Sequence, residues 1–187
     1  MSGRWNESET RVQQEEFGAL FAARAGALRR TAYLLSGDWH KAEDLVQTAF
    51  VRTYAAWPRV RDPGALEAYL RRTLLRAHLD ETRRRWRGEL ATEHLPEVAD
   101  RSAGDRAEGA TEDRIVLLAG LATIPPRQRA CLVLRYFDDC SVEDTARALD
   151  CSEGTVKSNT ARGLVALRKA LDSTSLESVP PSREDRR

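Results

Sequence analysis

The stretch that decides the fold is Ser141 to Arg168, SVEDTARALDCSEGTVKSNTARGLVALR, which predicts two short helices joined by a tight turn. Ser141 and Ser152 are placed to cap the two helices, because a serine hydroxyl accepts hydrogen bonds from the free amides of a first helical turn. Asp150 lies in the turn, where a left-handed backbone is common and aspartate tolerates it. The pattern favours a helix-turn-helix over the alternative, a plain helical hairpin with a solvated charged face.

The second helix of this stretch has two chemically different faces. Together with the first helix it predicts an inner apolar seam of Val142, Ala146, Leu149, Val156, Leu164 and Leu167. Its outward face is cationic and polar, as a helix that enters a DNA major groove requires. The residues predicted to contact DNA are Thr155, Lys157, Ser158, Asn159, Arg162 and Arg168.

Charge is sorted along the chain, although all 187 residues together carry a formal net charge of only +1. Residues 59–88 hold nine Arg against four acidic residues, a net of +5, whereas residues 88–113 hold eight acidic residues against two Arg, a net of −6. Any affinity for DNA must therefore come from local patches rather than from the overall charge.

Helical periodicity divides the chain into two domains. Apolar residues recur at helical spacing over residues 11–36 up to Gly37, over a second helix between Asp38 and Pro58, and over a third helix after that. Residues 88–111 lack the large apolar side chains that folding needs, so we expect a tether that lets the domains sit apart. The predicted fold is all-α: a first domain over residues 1–87, a flexible acidic linker over 88–111, a helix-turn-helix domain over 112–171 and a disordered tail over 172–187.

The third helix carries a second cationic surface. Guanidinium groups grip phosphate oxygens in pairs, so an arginine-rich helix face is typical of nucleic-acid binding, with an ordinary solvated face as the alternative. Tyr69 and Trp86 lie beside it and can either stack on exposed bases or serve as packing. The arginines concerned are Arg71, Arg72, Arg76, Arg83, Arg84, Arg85 and Arg87.

Patterns of enzymes and metal sites are missing from the sequence. Cys131, Cys140 and Cys151 form no CxxC pair and have no His at zinc-finger spacing, so we expect neither a metal nor a cofactor. No phosphate-cradling glycine loop or nucleophile motif accompanies His40, so no catalytic residue is predicted. Free cysteines without a signal peptide or a membrane-length apolar run predict the reducing cytoplasm and no membrane contact.

Two stretches together resemble a known family. They are LRRTAYLLSGDWHKAEDLVQTAFVRTY, residues 28–54, and IPPRQRACLVLRYFDDCSVEDTARALDCSEGTVKSNTARGLVALRKAL, residues 124–171. They resemble the extracytoplasmic-function (ECF) sigma factors, the small two-domain specificity subunits of bacterial RNA polymerase, and most of all their actinobacterial sigma-E group. The resemblance covers residues 15–171 and implies core RNA polymerase and promoter DNA as partners, with an anti-sigma factor as a regulatory partner.

The resemblance also implies roles for particular residues. The second helix would dock on core polymerase through Asp44, Leu45, Gln47, Thr48, Phe50 and Arg52. The third helix and the turn before it would engage the minus-ten element and a flipped base through Val60, Arg61, Asp62, Tyr69, Arg72, Arg76, Arg83 and Arg84. The helix-turn-helix would read the minus-thirty-five element. Val60, Arg76 and Ala161 depart from residues common in the family, so base preference does not carry over.

The leading hypothesis is a sigma factor that binds core polymerase, recognises both promoter elements and assists melting without catalysing a reaction. The alternative is a polymerase-independent transcriptional regulator that uses the same helix-turn-helix. Such a regulator would bind duplex DNA tightly by itself and would need a dimerisation or effector domain. The outward polar stripe of the second helix favours docking on a large partner.

Overall fold

The computed structural model describes residues 7–57, 63–89 and 112–177, and the regular structure within them is entirely helical. The all-α prediction is confirmed. The predicted minus-ten residues Val60, Arg61 and Asp62 lie outside the described residues, as do residues 90–111 of the predicted linker and 178–187 of the predicted tail. The helices are α1 Glu7–Ser36, α2 Trp39–Ala56, α3 Pro63–Glu89, α4 Glu112–Ala122, α5 Pro126–Tyr136, α6 Val142–Leu149 and α7 Glu153–Glu177.

The helix ends of the first domain follow local sequence signals. Gly37 ends α1 with a φ of +75°, a left-handed conformation that glycine adopts without steric cost. Asp38 then caps α2, because its Oδ1 accepts hydrogen bonds from the amides of His40 at 2.8 Å and Lys41 at 3.2 Å. α1 and α2 pack against each other across this turn.

The helix-turn-helix is formed by α6 and α7. Ser141 Oγ accepts a hydrogen bond from the amide of Asp144 at 2.9 Å, and Ser152 Oγ accepts one from the amide of Thr155 at 3.2 Å. Asp150 lies between the helices with φ 54° and ψ 55°, the left-handed conformation expected from its place in the turn. α7 continues to Glu177, past the predicted domain end, because no helix-breaking proline occurs before residue 180.

The inner seam of the helix-turn-helix differs from the prediction at one position. Leu164 is 40% exposed, whereas Gly163 beside it is buried and faces α5. A Cβ at Gly163 would lie 3.1 Å from the Leu132 side chain and 3.3 Å from the Gln128 carbonyl. The seam therefore depends on the close approach of two helices, which a count of apolar residues does not detect.

The N-terminal half, α1–α3, and the C-terminal half, α4–α7, share one cluster of buried apolar side chains. α3 packs on α5 and α6, and Leu79 of α3 lies with Cys131 and Leu149 of the C-terminal half around a small gap. This packing differs from the prediction that the two domains sit apart. The reason is that α3 has a second buried side, which includes Leu75, fully buried, and His78, only 7% exposed. Burying these residues requires the C-terminal half to pack on α3.

Candidate polymerase and nucleic-acid interfaces

The outer face of α7 is open and carries cationic and polar groups. Lys157, Ser158 and Arg162 are exposed, and Arg168 is exposed further along the helix. The Lys157 ammonium lies 3.8 Å from the carboxylate of Glu153, a loose and solvated ion pair. The predicted contact residues Lys157, Ser158, Arg162 and Arg168 are therefore open to solvent.

Two other residues predicted for this face have a local structural role. Thr155 and Asn159 are half-buried. The Thr155 hydroxyl lies 2.9 Å from that of Ser152, and Asn159 Nδ2 donates a hydrogen bond to the Thr155 carbonyl at 3.0 Å. This bond uses one of the two N–H donors of Asn159 and leaves its second N–H and its Oδ1 for a further partner.

The cationic surface of α3 is partly neutralised within its own helix. Arg71 lies 3.4 Å from Glu67, and Arg85 lies 2.8 Å from Glu81, both at a spacing of four residues. Such pairs are typical of a solvated helix face. The predicted minus-ten residues Tyr69, Arg76, Arg83 and Arg84 remain exposed on α3, with Arg72 half-buried.

The turn of the helix-turn-helix contacts this surface directly. Asp150 Oδ2 accepts a hydrogen bond from Arg76 Nη2 at 2.9 Å, and Asp150 Oδ1 lies 3.4 Å from Arg72 Nη2. A cleft of about 550 Å³ runs beside these pairs, lined by Tyr69 and Arg72 of α3 and by Arg147 of α6. Two arginines predicted to bind minus-ten DNA are therefore engaged by the other half of the chain.

Other polar contacts join the two halves. Asp138, before α6, accepts a hydrogen bond from the Thr31 hydroxyl at 2.7 Å and lies 3.9 Å from Arg71. Burial raises the pKa of the Asp138 carboxyl, whereas Thr31 and Arg71 act in the opposite direction. Arg129 of α5 donates from Nε to the Leu34 carbonyl at 2.7 Å, near the end of α1. A cation at the C-terminus of a helix is favourable.

The interface between the halves also leaves polar groups unsatisfied. Among the described residues, His78 Nε2 and Arg129 Nη2 are buried without a hydrogen-bond partner. Burial and the nearby Arg129 and Arg85 lower the pKa of His78 to about 4, so its ring is neutral at pH 7. Unsatisfied buried groups cost free energy, so this interface is weaker than its apolar area suggests.

The predicted docking set on α2 divides into a surface part and a core part. Asp44, Gln47 and Arg52 are exposed, and Thr48 is half-buried beside them. The remaining members, Leu45 and Phe50, are each only 4% exposed and belong to the core. They hold α2 in place and are not available for direct contact.

An apolar patch adjoins this docking surface. Val51 is 69% exposed, Phe21 of α1 is 49% exposed and Tyr54 is 46% exposed. The Phe17 ring connects the patch to the core, with its centroid 4.9 Å from that of Tyr54 and 5.9 Å from that of Phe50. Phe21 and Tyr54 are not among the predicted contact residues, and the only sequence signal for them is an aromatic side chain on an amphipathic helix.

The described ranges contain neither a candidate metal site nor a candidate membrane span. Within them, His, Cys, Asp and Glu side chains form no group of three that could hold a metal ion, and no helix is both long and apolar enough to cross a bilayer. Burial raises the pKa of the Cys131 thiol to about 11, which makes it a poor nucleophile.

Comparison with known proteins assigns both halves. Residues 20–88 match sigma-70 region 2, and residues 114–167 match sigma-70 region 4. The RNA polymerase sigma-E factor of Streptomyces avermitilis is 40% identical over 171 residues, which cover 91% of this chain and 93% of that protein. The ECF RNA polymerase sigma factor SigE of Mycolicibacterium smegmatis is 36% identical, over 83% of this chain and 61% of that protein. The chain belongs to the ECF sigma factors.

A solved structure supports the assignment of this sigma factor. The sigma factor RpoE of Bartonella quintana, crystallised with the anti-sigma factor NepR, matches with a TM-score of 0.71 and 25% identity, over 84% of this chain and 98% of that one. The family consists of transcription initiation factors, which bind core RNA polymerase and promoter DNA. The sigma factor hypothesis is confirmed, and the matches give no support to the polymerase-independent regulator.

Proposed function

We propose that this ECF sigma factor divides promoter recognition between its halves. α2 docks on core RNA polymerase, α3 engages the minus-ten element during melting, and α7 reads the minus-thirty-five element as duplex. The observation that carries this proposal is the open face of α7, where Lys157, Ser158 and Arg162 are exposed on the second helix of a helix-turn-helix. Cationic and hydroxyl side chains at such positions reach phosphates and base edges in the major groove.

The surface of α2 supports its assignment to polymerase. Asp44, Gln47 and Arg52 lie outside while the opposite face of the same helix is buried. An exposed apolar patch beside polar side chains is the usual composition of a protein interface. Val51 and Tyr54 supply that patch here. We therefore extend the predicted docking set to these two residues.

The assignment of α3 rests on its aromatic and arginine side chains. Tyr69 is 38% exposed, so one face of its ring is available to stack on an unpaired base. Arg76, Arg83 and Arg84 are exposed on the same helix and would hold the phosphates of that strand. The contacts predicted for the turn before α3 stay predictions.

Other parts of the proposal follow from what a sigma factor does. Core polymerase and promoter DNA are cytoplasmic in bacteria, so we place its action there. We assign no catalysis to the chain itself, because polymerase performs the chemistry. The similar Bartonella protein is bound to an anti-sigma factor, and we extend that kind of partner to this chain.

Two binding assays, one with core polymerase and one with minus-thirty-five duplex, test the division of labour. Asp44→Ala with Gln47→Ala should weaken binding to core polymerase about tenfold, on the scale of lost interface contacts, and leave affinity for minus-thirty-five duplex unchanged. Lys157→Ala with Arg162→Ala should do the reverse. Glu15→Ala with Glu16→Ala changes two exposed side chains of α1 and serves as the matched control. Equal losses from both test pairs in both assays would reject the proposal.

A further inference from the structure

The contact between Asp150 and α3 has the geometry of a phosphate contact. Each carboxylate oxygen faces a different guanidinium: Oδ2 lies 2.9 Å from Arg76 Nη2, and Oδ1 lies 3.4 Å from Arg72 Nη2. Guanidinium N–H groups donate to phosphate oxygens as they donate to carboxylate oxygens. A DNA phosphate and the Asp150 carboxylate therefore compete for the same two groups.

The position of Asp150 is fixed by the helix-turn-helix itself. It ends α6 with a left-handed backbone, and its amide donates a hydrogen bond to the Ala146 carbonyl. The carboxylate is thus presented by a structured turn between two helices. This placement makes the contact a property of how the halves dock, since a change in their relative position removes it.

α6 also occupies the space beside Tyr69. The cleft between α3 and α6 is lined by Tyr69 and Arg72 on one side and by Asp144 and Arg147 on the other. A single strand stacked on Tyr69 from this side would have to enter the cleft, where α6 takes up part of the space.

We propose that the C-terminal half masks the minus-ten surface of the free sigma factor, with Asp150 occupying the place of a DNA phosphate between Arg72 and Arg76. The proposal rests on the function proposed above for α3. It extends that function with a closed state, in which α7 is free to bind DNA and α3 is not. Separation of the halves on polymerase releases both arginines.

The forces that hold the halves together permit this opening. The two ion pairs are about half exposed, with side-chain exposures of 41% for Arg72, 55% for Arg76 and 64% for Asp150, so solvent screens them. The interface also buries His78 Nε2 and Arg129 Nη2 without partners among the described residues.

The test compares two carboxylate-to-amide substitutions in the same helix-turn-helix. Asp150→Asn removes the charge that faces Arg72 and Arg76, and asparagine keeps the left-handed backbone. Glu153→Gln is the matched control, because its carboxylate pairs with Lys157 and not with α3. The full-length chain, without polymerase, is titrated with a fluorescent single-stranded oligonucleotide of the minus-ten non-template strand. Small-angle scattering of the same samples gives the radius of gyration.

Asp150→Asn should bind the single strand about fivefold more tightly than the wild-type chain and have a larger radius of gyration, because the closed fraction no longer reduces the apparent affinity. Glu153→Gln should change neither quantity. If Asp150→Asn changes neither, or if both variants tighten binding equally, masking is overturned, since equal gains reflect general charge alone.

A third variant separates this proposal from the function on which it rests. Arg72→Ala with Arg76→Ala, introduced into the Asp150→Asn chain, should remove the gain in single-strand binding. If the gain persists while scattering still shows opening by Asp150→Asn, the minus-ten role of α3 is overturned and the closed contact stands.

Discussion

The cationic surfaces of α3 and α7 have similar side chains but differ in their contacts with the rest of the chain. On α7, Lys157 and Arg162 face solvent, with one loose ion pair to Glu153. On α3, Arg72 and Arg76 are paired with Asp150 of the other half. A cationic stripe in a sequence therefore indicates where DNA can bind, but the docking of the remaining chain determines when the stripe is available.

The packing of the two helices accounts for this difference. α7 is buried only on the side that packs on α4, α5 and α6, so its outer face stays free. α3 packs on α2 and also on α5 and α6. Because α3 packs on more than one side, some of its polar groups lie close enough to the C-terminal half to find partners there.

Substitutions on the two cationic surfaces should have very different effects on affinity for duplex DNA, and the loss on α7 is the largest that we expect. In the free chain, Lys157→Ala with Arg162→Ala should weaken binding to minus-thirty-five duplex about a hundredfold, about 2.7 kcal/mol for two lost contacts. Arg72→Ala with Arg76→Ala should leave that affinity within about twofold, because both arginines are already engaged. Fluorescence anisotropy measures both. A large loss from the α3 pair in this assay would show that α3 is accessible in the free chain.

A second prediction concerns how His78, buried between the two halves, makes the stability of the chain depend on pH. Burial and Arg129 lower the pKa of His78 from 6.5 to about 4 in the folded chain, and Arg85, Lys41 and Glu81 line the same cavity. The unfolded chain therefore takes up a proton first as the pH falls below about 6.5, and acidification favours unfolding. The free energy of unfolding should fall by about 2 kcal/mol between pH 7 and pH 5.

Urea unfolding at the two pH values measures this loss. His78→Gln should flatten the pH dependence, and His40→Gln, at an exposed position, should keep it. If His78→Gln keeps the full pH dependence, another group is responsible and His78 is not a strained part of the interface.

The smallest expected effect concerns the packing of α7 on α5, which holds the exposed face of α7 in place. Gly163→Ala places a Cβ 3.1 Å from Leu132 and 3.3 Å from the Gln128 carbonyl, so α7 must shift from α5. We expect a loss of about 1 kcal/mol in stability after the better helix propensity of alanine is included. Gly154→Ala, whose nearest neighbour would be Ser152 Oγ at 3.8 Å, should be neutral or slightly stabilising. Thermal unfolding compares them, and equal behaviour would show that the seam has room.

Local signals were the most reliable guide to this fold. The caps at Asp38 and Ser141, the glycine stop at Gly37 and the left-handed turn at Asp150 all lie where the sequence predicts. Each of these depends on a few neighbouring residues, so each is readable from a short stretch. The exposed part of the predicted site, such as Gln47 and the outer face of α7, follows in the same way from helical periodicity.

Other features required the assembled chain. The resemblance assigns Leu45 and Phe50 to the polymerase contact, but both lie in the core at helical spacing from the other buried residues of α2. The second buried side of α3, with Leu75 and His78, lies outside the apolar stripe that helical periodicity predicts. The residues that cover it belong to helices distant in sequence. The arginine stripe likewise gave no sign of Asp150, which lies 74 positions from Arg76.

Local patterns of polarity and turn residues are enough to predict α1, α2, α3 and the two helices of the helix-turn-helix, with the caps at Asp38, Ser141 and Ser152. The motifs of both halves likewise identify the membership of the ECF sigma factors. The tertiary structure alone decided which of the two cationic surfaces is covered. Ion pairs and buried contacts between distant segments depend on how helices dock, and docking reflects the shape and burial of whole faces rather than the identity of neighbours along the chain.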